Sequence, residues 1–452
     1  MDRLTRPIAS IARRLRRTRP GRWLAGRLPP RTRQAIRRLL GRPSSAECPL
    51  AAPVRATAPA TAPTRAPVAA APRLPFVPDG SGADPRANVI GHFRGEFGTA
   101  EAARSLVTAA RAAGLRLALV NANPDDAAGG DLRYATAIGD ETPHPINILC
   151  VNANDTVELA NRLGPGVLSG RFTIGFWFWE LSRFPAAWLG AVDRVDEIWV
   201  ASEFVAQTMR AATSKPVRTV RLAVDATPSR PYARSEFGLP DDAYVFLFTF
   251  NFNSWATRKN PLGLIEAFRA AFPGDEPQVQ LVLKSTLVDR DRERMRRFEE
   301  AIAADARIRV IDRFLSRDEV FGLESVVDSY VSLHRSEGFG LGLAESMFLG
   351  KPVIGTAYSG NLEFMDSSNS LLVDHRLTPV GPGEYPYPDG QEWADPDVTQ
   401  AAALMRRLVD DPAFGRELGA RARERMLRDF SPAAVGAGIA ERIAAILDGT
   451  AG

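Results

Sequence analysis

Two glutamates with seven residues between them, Glu337 and Glu345, bracket the run GFGLGLA inside Ser329-YVSLHRSEGFGLGLAESMFLGKPVIGT. The apolar stretch Tyr330–Leu333 reads as a strand. The loop after it holds Glu337, Gly338, Gly340 and Gly342, and a helix follows. Glycines let a backbone approach a ligand closely. Free N–H groups at a helix start suit an anion such as a diphosphate. The pattern places Glu345 near the first turn, where the helix dipole favours a carboxylate. There it has the acceptor oxygens to hold two sugar hydroxyls. Glycine spacing alone is a weak motif, and the plain alternative is a solvated loop acid at Glu337 and an exposed helix N-terminal acid at Glu345.

A second cluster lies in Phe248-TFNFNSWATRKNPLGLIEAF, where Arg258 and Lys259 precede a helix that starts near Pro261. Two cations at a helix N-terminus disfavour the helix. A bound anion relieves that, because each cation about 4 Å from a phosphate charge gains about 4 kcal/mol at an effective dielectric of 20, before desolvation. The alternative is a surface basic pair. In Gly91-HFRGEFGTAEAAR a strand runs into a turn between Gly95 and Gly98, then a helix carrying Arg104; His92 reads as a packed strand residue. The alternative is a tight strand-to-helix turn. In Thr173-IGFWFWELSRFP two readings stand side by side. Either Trp177 and Trp179 stack on sugar faces while Glu180 binds hydroxyls or assists proton removal from an acceptor, or the tryptophans are core and Glu180 caps the next helix. In Ala357-YSGNLEFMD, Ser359, Gly360 and Asn361 open a short helix with Glu363 as its first-turn acid.

No metal is expected. Asp395-Pro-Asp397 has the D-x-D pattern of some metal sites but precedes a late helix, and Asp289-Arg-Asp291 sits in a charged run that reads as a solvated face. The four histidines have no ligand spacing. No cofactor is expected either.

These residues need elements to position them. From Asn88 short apolar runs alternate with helical patterns: strands at Asn88–Phe93, Arg116–Asn121, Ile146–Asn152, Phe172–Phe178 and Glu197–Ala201, helices at Thr99–Ala113, Pro185–Val192 and Glu203–Ala212. A second series has strands at Tyr244–Phe250, Val279–Lys284, Arg307–Asp312, Ser329–Leu333 and Pro352–Thr356, with a helix at Pro261–Ala271. A Pro-containing stretch, about Asp225–Asp241, separates the two as a hinge, and the chain is helical after about Pro396. This alternation predicts an α/β protein of two doubly wound, Rossmann-like domains. Their ligand would sit at the carboxyl ends of the strands, in the cleft. The divisions are a basic helical extension over 1–42, a Pro/Ala-rich linker over 43–86, a first domain over 87–226, a second over 227–430 and a terminal helix over 431–452.

With 452 residues the chain is long enough for two such cores, and 45% hydrophobic with 24% charged residues is a globular composition. The basic character belongs to one end. Residues 1–86 carry about 18 Arg, no Lys and about 4 acidic groups, roughly +14, so against +4 for the whole chain residues 87–452 sum to roughly −10. An acidic body argues against nucleic acid as a partner. In the extension Leu4, Ile8, Ile11 and Leu15 form an apolar stripe among Arg13, Arg14, Arg16 and Arg17. Such a helix can lie on an anionic membrane surface, each cation adding on the order of 1 kcal/mol; the alternatives are a solvated basic tail and one that meets nucleic acid or a protein partner. No uninterrupted apolar run reaches the ~18–20 residues of a membrane span. The two cysteines, Cys48 and Cys150, suggest no disulfide framework, so a cytosolic compartment is expected, with peripheral attachment to the inner membrane face if the extension binds lipid.

The paired glutamates, GFGL after the first and KPVI after the helix, resemble the retaining nucleotide-sugar glycosyltransferases with two Rossmann-like domains (the GT-B fold), of the "group 1" or family-four type that assembles bacterial polysaccharides. The resemblance covers about residues 88–445 and is strongest in the second half. It implies a nucleoside-diphosphate sugar in the interdomain cleft and transfer of a mannose- or glucose-type hexose to a glycan or lipid-linked acceptor. It implies that Glu337 contacts the donor sugar, and that amides of Phe339, Gly340, Leu341, Gly342 and Leu343 meet sugar and phosphate. It gives Glu345 the ribose hydroxyls, and it gives Gly360 and Asn361 backbone N–H groups facing the donor. Lys259 matches the family's diphosphate lysine. The family's arginine position falls on Asn251 or Asn253, with Arg258 as the substitute. The Gly95–Gly98 loop would face donor phosphate and acceptor. The family's histidine at the end of the Thr173 strand is missing, and Trp177, Trp179 and Glu180 stand there instead. That departure keeps two other readings open: an inactive sugar-nucleotide-binding scaffold, or an epimerase or phosphorylase of the same fold.

Overall fold

Two separate parallel sheets carry the chain. In the first, β1 (Arg86–Gly91), β2 (Arg116–Asn121), β3 (Ile138–Gly139), β4 (Ile146–Cys150), β5 (Phe172–Phe176), β6 (Glu197–Val200) and β7 (Val217–Thr219) lie in the order β3-β2-β1-β4-β5-β6-β7. In the second, β8 (Tyr244–Thr249), β9 (Val279–Lys284), β10 (Ile308–Ile311), β11 (Ser329–Ser332), β12 (Val353–Thr356) and β13 (Leu371–Val373) lie in the order β10-β9-β8-β11-β12-β13. The computed structural model describes residues 73–450 apart from 96, 124–132, 135, 253 and 286–291. The basic extension over 1–42, most of the linker, Cys48, Asn253 and the Asp289-Arg-Asp291 run lie outside the described residues.

Helices cover both faces of a doubly wound sheet, so central strands bury every side chain and read as unbroken apolar runs. INILC in β4 is buried throughout, as is the middle of YVFLFT in β8. In each sheet the strand order reverses beside the first strand of its series: β1 pairs with both β2 and β4, and β8 with both β9 and β11. A crevice opens at the carboxyl ends of such strands.

The expected strands fall within about two residues of the observed ones, the usual uncertainty of element ends. Three differences matter. The helix Ala153–Leu163 was not expected, because its sequence ANDTVELANRL buries only Ala153, Thr156, Leu159 and Ala160. The segment after Phe184 is a 3-10 helix, Ala186–Arg194. And β13 is followed by an antiparallel hairpin, β14 (His375–Pro379) with β15 (Glu392–Pro396), that the sequence reading missed entirely.

Both ends of the body pack on the first sheet. Composition grouped residues 73–86 with the linker, yet Arg73 donates to the Arg194 carbonyl (2.8 Å) and pairs with Asp196 (2.9 Å). Phe76 meets Phe172 edge-on, with ring centroids 5.8 Å apart. The terminal helix α11 (Pro432–Leu447) lies against α1 (Gly98–Ala112), where a Cβ on Gly436 would stand 2.1 Å from the Ala109 carbonyl oxygen. Only glycine permits that approach. The stretch Pro412–Leu447 is long and apolar enough by length and composition to cross a bilayer, although charged residues interrupt it. Its Val435, Ile439, Ile443, Ile446 and Leu447 are buried in the protein's own core.

Candidate functional site

The sharpest local geometry follows β11. Gly340 takes φ +98° and ends the loop, and α8 (Leu341–Phe348) begins immediately after it. A Cβ on Gly342 would lie 2.3 Å from the Tyr330 hydroxyl, so the first turn of α8 can sit on β11 only with glycine there. Glu345 is therefore the fifth residue of the helix, beyond the first turn expected for it, where the dipole effect has faded.

Glu337 is held by the two cations predicted to bind phosphate. Lys259 Nζ donates to its Oε1 at 2.5 Å, and Arg258 Nη1 lies 3.0 Å from its Oε2. Arg258 and Lys259 end a one-turn helix (Ala256–Lys259). Asn260, at φ +54°, then caps α5 (Pro261–Ala271) by accepting from Gly263 N. Arg258 also donates to the Ser336 carbonyl at 2.6 Å. Burial would raise the Glu337 carboxyl, but Arg258 and Lys259 outweigh it and hold it at about 2. Burial lowers the Lys259 ammonium, against the opposing pull of Glu337. The repulsion expected between two cations at a helix start is thus relieved by a carboxylate already in place. Glu180, on the facing wall, adds a second carboxylate that acts on both cations.

Glu345 belongs to a second charge cluster, whose central cation, Arg317, lies outside the sequence motifs. Arg317, the first residue of α7 (Arg317–Val326), pairs with Glu345 and lies 3.6 Å from Glu101 on α1. Glu101 also pairs with Arg104 (2.7 Å) and Arg133 (2.9 Å). Burial pushes Glu101 up, and Arg317, Arg104 and Arg133 bring it down to about 2. Burial raises Glu345, and Arg317 opposes the rise. Beneath it Glu324 is fully buried, with no hydrogen-bond partner for either oxygen among the described residues. Burial first, and then the Glu345 carboxylate, raise Glu324 well above the ordinary range. One signal for Arg317 was in the sequence: Ser316-x-x-Glu319 forms a capping box, which marks a helix start just past a strand end.

The first-domain half is built differently. Gly98 lines the cleft, whereas Gly95 lies behind it, its carbonyl accepting from the buried Arg104 at 2.8 Å. Trp177 and Trp179 are core residues, which removes the sugar-stacking role considered for them. Their indole N–H groups donate to Thr156 Oγ1 (3.0 Å) and the Arg183 carbonyl (2.8 Å). Glu180 is no helix cap. It lines the cleft, and its Oε2 accepts from the Tyr385 hydroxyl at 2.5 Å. Tyr385 comes from the loop of the β14–β15 hairpin, so the second domain supplies part of the first domain's wall.

Gly360 and Asn361 do not line the cleft. They brace the glycine loop from behind. Gly360 N donates to the Glu337 carbonyl at 2.9 Å, and a Cβ on Gly360 would stand 2.2 Å from the Gly338 carbonyl oxygen. Asn361 is buried, bonded to the His334 ring (3.0 Å) and the Thr356 carbonyl (2.9 Å). Glu363 reaches across the domains to accept from Glu203 N (3.0 Å) and Arg221 Nε (3.1 Å).

The cleft so framed measures ≈ 830 Å³, a size usual for small-molecule sites at about 300–1,000 Å³. Glu180, Arg258, Lys259, Glu337, Phe339, Gly340, Leu341, Gly342, Leu343 and Glu345 all line it. Asn251 does too. Further lining residues, Lys284 and Phe314 among them, carry no motif in the sequence. Lys284 stands at the end of β9, its ammonium lowered by burial, and Phe314 is 60% exposed. Among the described residues no three His, Cys, Asp or Glu are grouped to hold a metal. Asp395 pairs with Arg335 (2.9 Å) and Arg376 (2.7 Å), and Asp397 caps the helix Val398–Asp410, which accounts for the D-x-D pattern.

No protein-family model matches the chain. It is similar to the trehalose synthase of Rubrobacter xylanophilus, 24% identical over 204 residues that make up 44% of this chain and 43% of that protein. It is also similar to the trehalose synthase of Pyrococcus horikoshii, 28% identical over 160 residues, 34% of this chain and 33% of that protein. The match thus spans less than half the length of these relatives. Among solved structures, sucrose-phosphate synthase from Thermosynechococcus elongatus superposes with a TM-score of 0.58 at 19% identity, covering 79% of this chain and 98% of that one. HepE of Anabaena, in complex with UDP and glucose, superposes with a TM-score of 0.59 at 14% identity, covering 78% and 98%. The shared feature is the architecture: two Rossmann-like domains facing a cleft.

Proposed function

Because the chain has the two-Rossmann-domain GT-B fold of glycosyltransferases, we propose that it is a retaining glycosyltransferase that moves a mannose- or glucose-type hexose from a nucleoside-diphosphate sugar to an acceptor hydroxyl. The observation that carries this is the Arg258–Lys259–Glu337 cluster at the carboxyl ends of β8 and β11, with the glycine loop and the start of α8 in the same cleft wall. Arg258, Lys259 and the amides at the start of α8 take the diphosphate, which is the leaving group. Charge placed in advance where the leaving group develops its own is the main catalytic contribution. It needs no metal. Glu337 holds donor-sugar hydroxyls, Glu345 the ribose, and Glu180 faces the acceptor. Retention rests on the family resemblance, as does a glycan or lipid-linked acceptor in cell-surface polysaccharide synthesis. The complexes of HepE with UDP and UDP-glucose support a nucleotide-sugar ligand for this fold.

The test is a thermal-shift screen of the full chain against uridine, guanosine and adenosine diphosphates and their hexose conjugates. One nucleotide series is expected to raise the melting temperature, and Glu345→Ala to abolish most of that rise. Undiminished binding in Glu345→Ala would remove the donor-site assignment. One observation favours a second reading, a binding scaffold without turnover: among the described residues no histidine lines the cleft. A scaffold binds the nucleotide sugar without ever releasing free sugar, so a hydrolysis assay separates the two. The arginine-rich residues 1–42 are proposed to bring a cytosolic enzyme to the inner membrane face. Removing residues 1–72 is expected to abolish co-sedimentation with anionic vesicles, and persistent binding would refute the tether.

A further inference from the structure

The β14–β15 hairpin is an arm of the second domain whose contacts run to the first. Val380, Tyr385 and Trp393 are buried in one apolar cluster with Trp177, Trp179 and Leu181. Gln391 clips onto Arg183 from both sides, donating to its carbonyl at 2.7 Å and accepting from its N–H at 3.1 Å. Trp188 Nε1 donates to the Tyr387 hydroxyl at 3.2 Å. At the root of the arm Ala394 N donates to the Arg335 carbonyl, two residues before Glu337. The arm is tied to both walls of the cleft and has little freedom to move with respect to either.

Tyr385 is the point where these ties meet the site. Its hydroxyl donates to Glu180 Oε2 at 2.5 Å, and its ring lies 5.6 Å from Trp179 and 5.6 Å from Trp255. The Arg258 guanidinium sits over the same ring, 5.8 Å from its centroid, while pairing with Glu337 at 3.0 Å. One side chain therefore contacts the acidic group of the acceptor wall and the cation of the donor wall at once. A short carboxylate–phenol hydrogen bond fixes which way the carboxylate presents its second oxygen. A cation over an aromatic face is drawn to the electron-rich side of the ring. Burial, and then the charge of Glu180, push the phenol well above its ordinary titration range, so it stays a donor at every working pH.

We propose that Tyr385 is a positioning residue: through its hydroxyl it orients Glu180 toward the acceptor, and through its ring it registers Glu180 against the Arg258–Glu337 pair that holds the donor. The arm thereby completes the acceptor half of a site whose donor half is complete without it. This rests on the glycosyltransferase reading, and the experiment keeps the two apart.

The substitutions are Tyr385→Phe, which removes the hydroxyl and keeps the ring packed, Glu180→Gln, and the two together. The probe is turnover of whichever of UDP-, GDP- or ADP-glucose or GDP-mannose the wild-type chain hydrolyses, with water as acceptor, alongside the dissociation constant of the matching nucleoside diphosphate. Tyr385→Phe is expected to lower kcat about tenfold with nucleotide affinity and melting temperature unchanged, because a group lost only from transition-state positioning appears in kcat. In the Glu180→Gln background the same substitution is expected to have no further effect, the mark of two residues acting as one unit. An additional tenfold loss in the double variant, an unchanged rate in Tyr385→Phe, or a loss of rate matched by weaker nucleotide binding and earlier melting would each overturn the positioning role. A wild-type chain that binds a nucleotide but releases sugar from none of these donors would overturn the role of Tyr385, and one that also binds none of the nucleotides would overturn the glycosyltransferase reading with it.

Discussion

The two walls of the cleft are built on opposite plans. The donor wall draws its chemistry from short stretches of chain. Glu337, the glycine loop and Glu345 follow one strand, and Arg258 and Lys259 follow its neighbour in the sheet. Its charges satisfy one another before any ligand arrives, as the Glu337 contacts at 2.5 and 3.0 Å show. On the acceptor wall the acidic group that faces the donor cations is Glu180, and it is oriented from 205 residues away by Tyr385. A wall assembled locally is set by strand ends and helix starts. A wall assembled over long range depends on an arm docking correctly. Changes in the first should act on charge and on the donor, whereas changes in the second should act on geometry and leave the donor bound.

The largest effect expected from this contrast is at Glu337. Replacing it with alanine leaves Arg258, 3% exposed, as a buried cation without its carboxylate. Breaking such a pair from one side typically costs about 3–5 kcal/mol. Losing a contact to the donor sugar adds a fall in turnover of about 100- to 1,000-fold. The pH dependence supplies a second check. Glu337 titrates at about 2 in the folded chain, below its ordinary 4.5. A depressed carboxylate stabilises the fold fully above 4.5 and loses that contribution as pH falls through 4.5 toward about 2. Urea unfolding of wild type and Glu337→Ala should therefore converge as the pH drops from 7 to 3. A gap that stays constant would mean the pair is not what holds Arg258.

On the other wall Gln391→Ala should do less. It removes two hydrogen bonds that clip the arm to Arg183, one to a carbonyl and one from a backbone N–H. The loss in stability should be about 1–3 kcal/mol. Turnover should fall while the dissociation constant for nucleoside diphosphate stays put. If nucleotide affinity fell as much as turnover, the walls would not be separable and the contrast would collapse.

The same division explains what the sequence revealed. β8, β9 and β11 were legible because parallel strands buried on both faces leave apolar runs, and the loop after β11 was legible because φ +98° at Gly340 and the packing of Gly342 on Tyr330 both demand glycine. The partners of those residues were not. Nothing local ties Arg317 to Glu345 28 positions on, or to Glu101 on the first domain. Gly360 and Asn361 stood in the right neighbourhood, but the need for glycine is set by the Gly338 carbonyl behind it and has no bearing on a ligand in front. Trp177 and Trp179 show the limit most plainly. A tryptophan at a strand end fits a sugar platform and a core equally well, and what decides is the arm that covers them, whose strands HRLTP and EWADP show no clean alternation.

The smallest effect should come from Glu324, and it probes whether the donor wall is fully compensated. Its two oxygens have no partner among the described residues, and burial together with the nearby Glu345 carboxylate raises it well above the ordinary 4.5. A raised carboxyl favours the fold only while it is protonated. Below pH 4.5, where both side chains are neutral in either state, Glu324→Gln should be the less stable by the cost of its unsatisfied amide. As pH rises past that point the unfolded wild type ionises and the folded form resists, so the variant should gain, by about 1 kcal/mol at pH 7 once the unsatisfied amide is set against the relieved charge. Thermal melts at pH 4 and pH 7 measure this directly. A variant less stable than wild type at pH 7 would show that Glu324 is ionised in the fold and is held there by Arg317, making the Glu345 cluster a second closed charge network like that around Glu337.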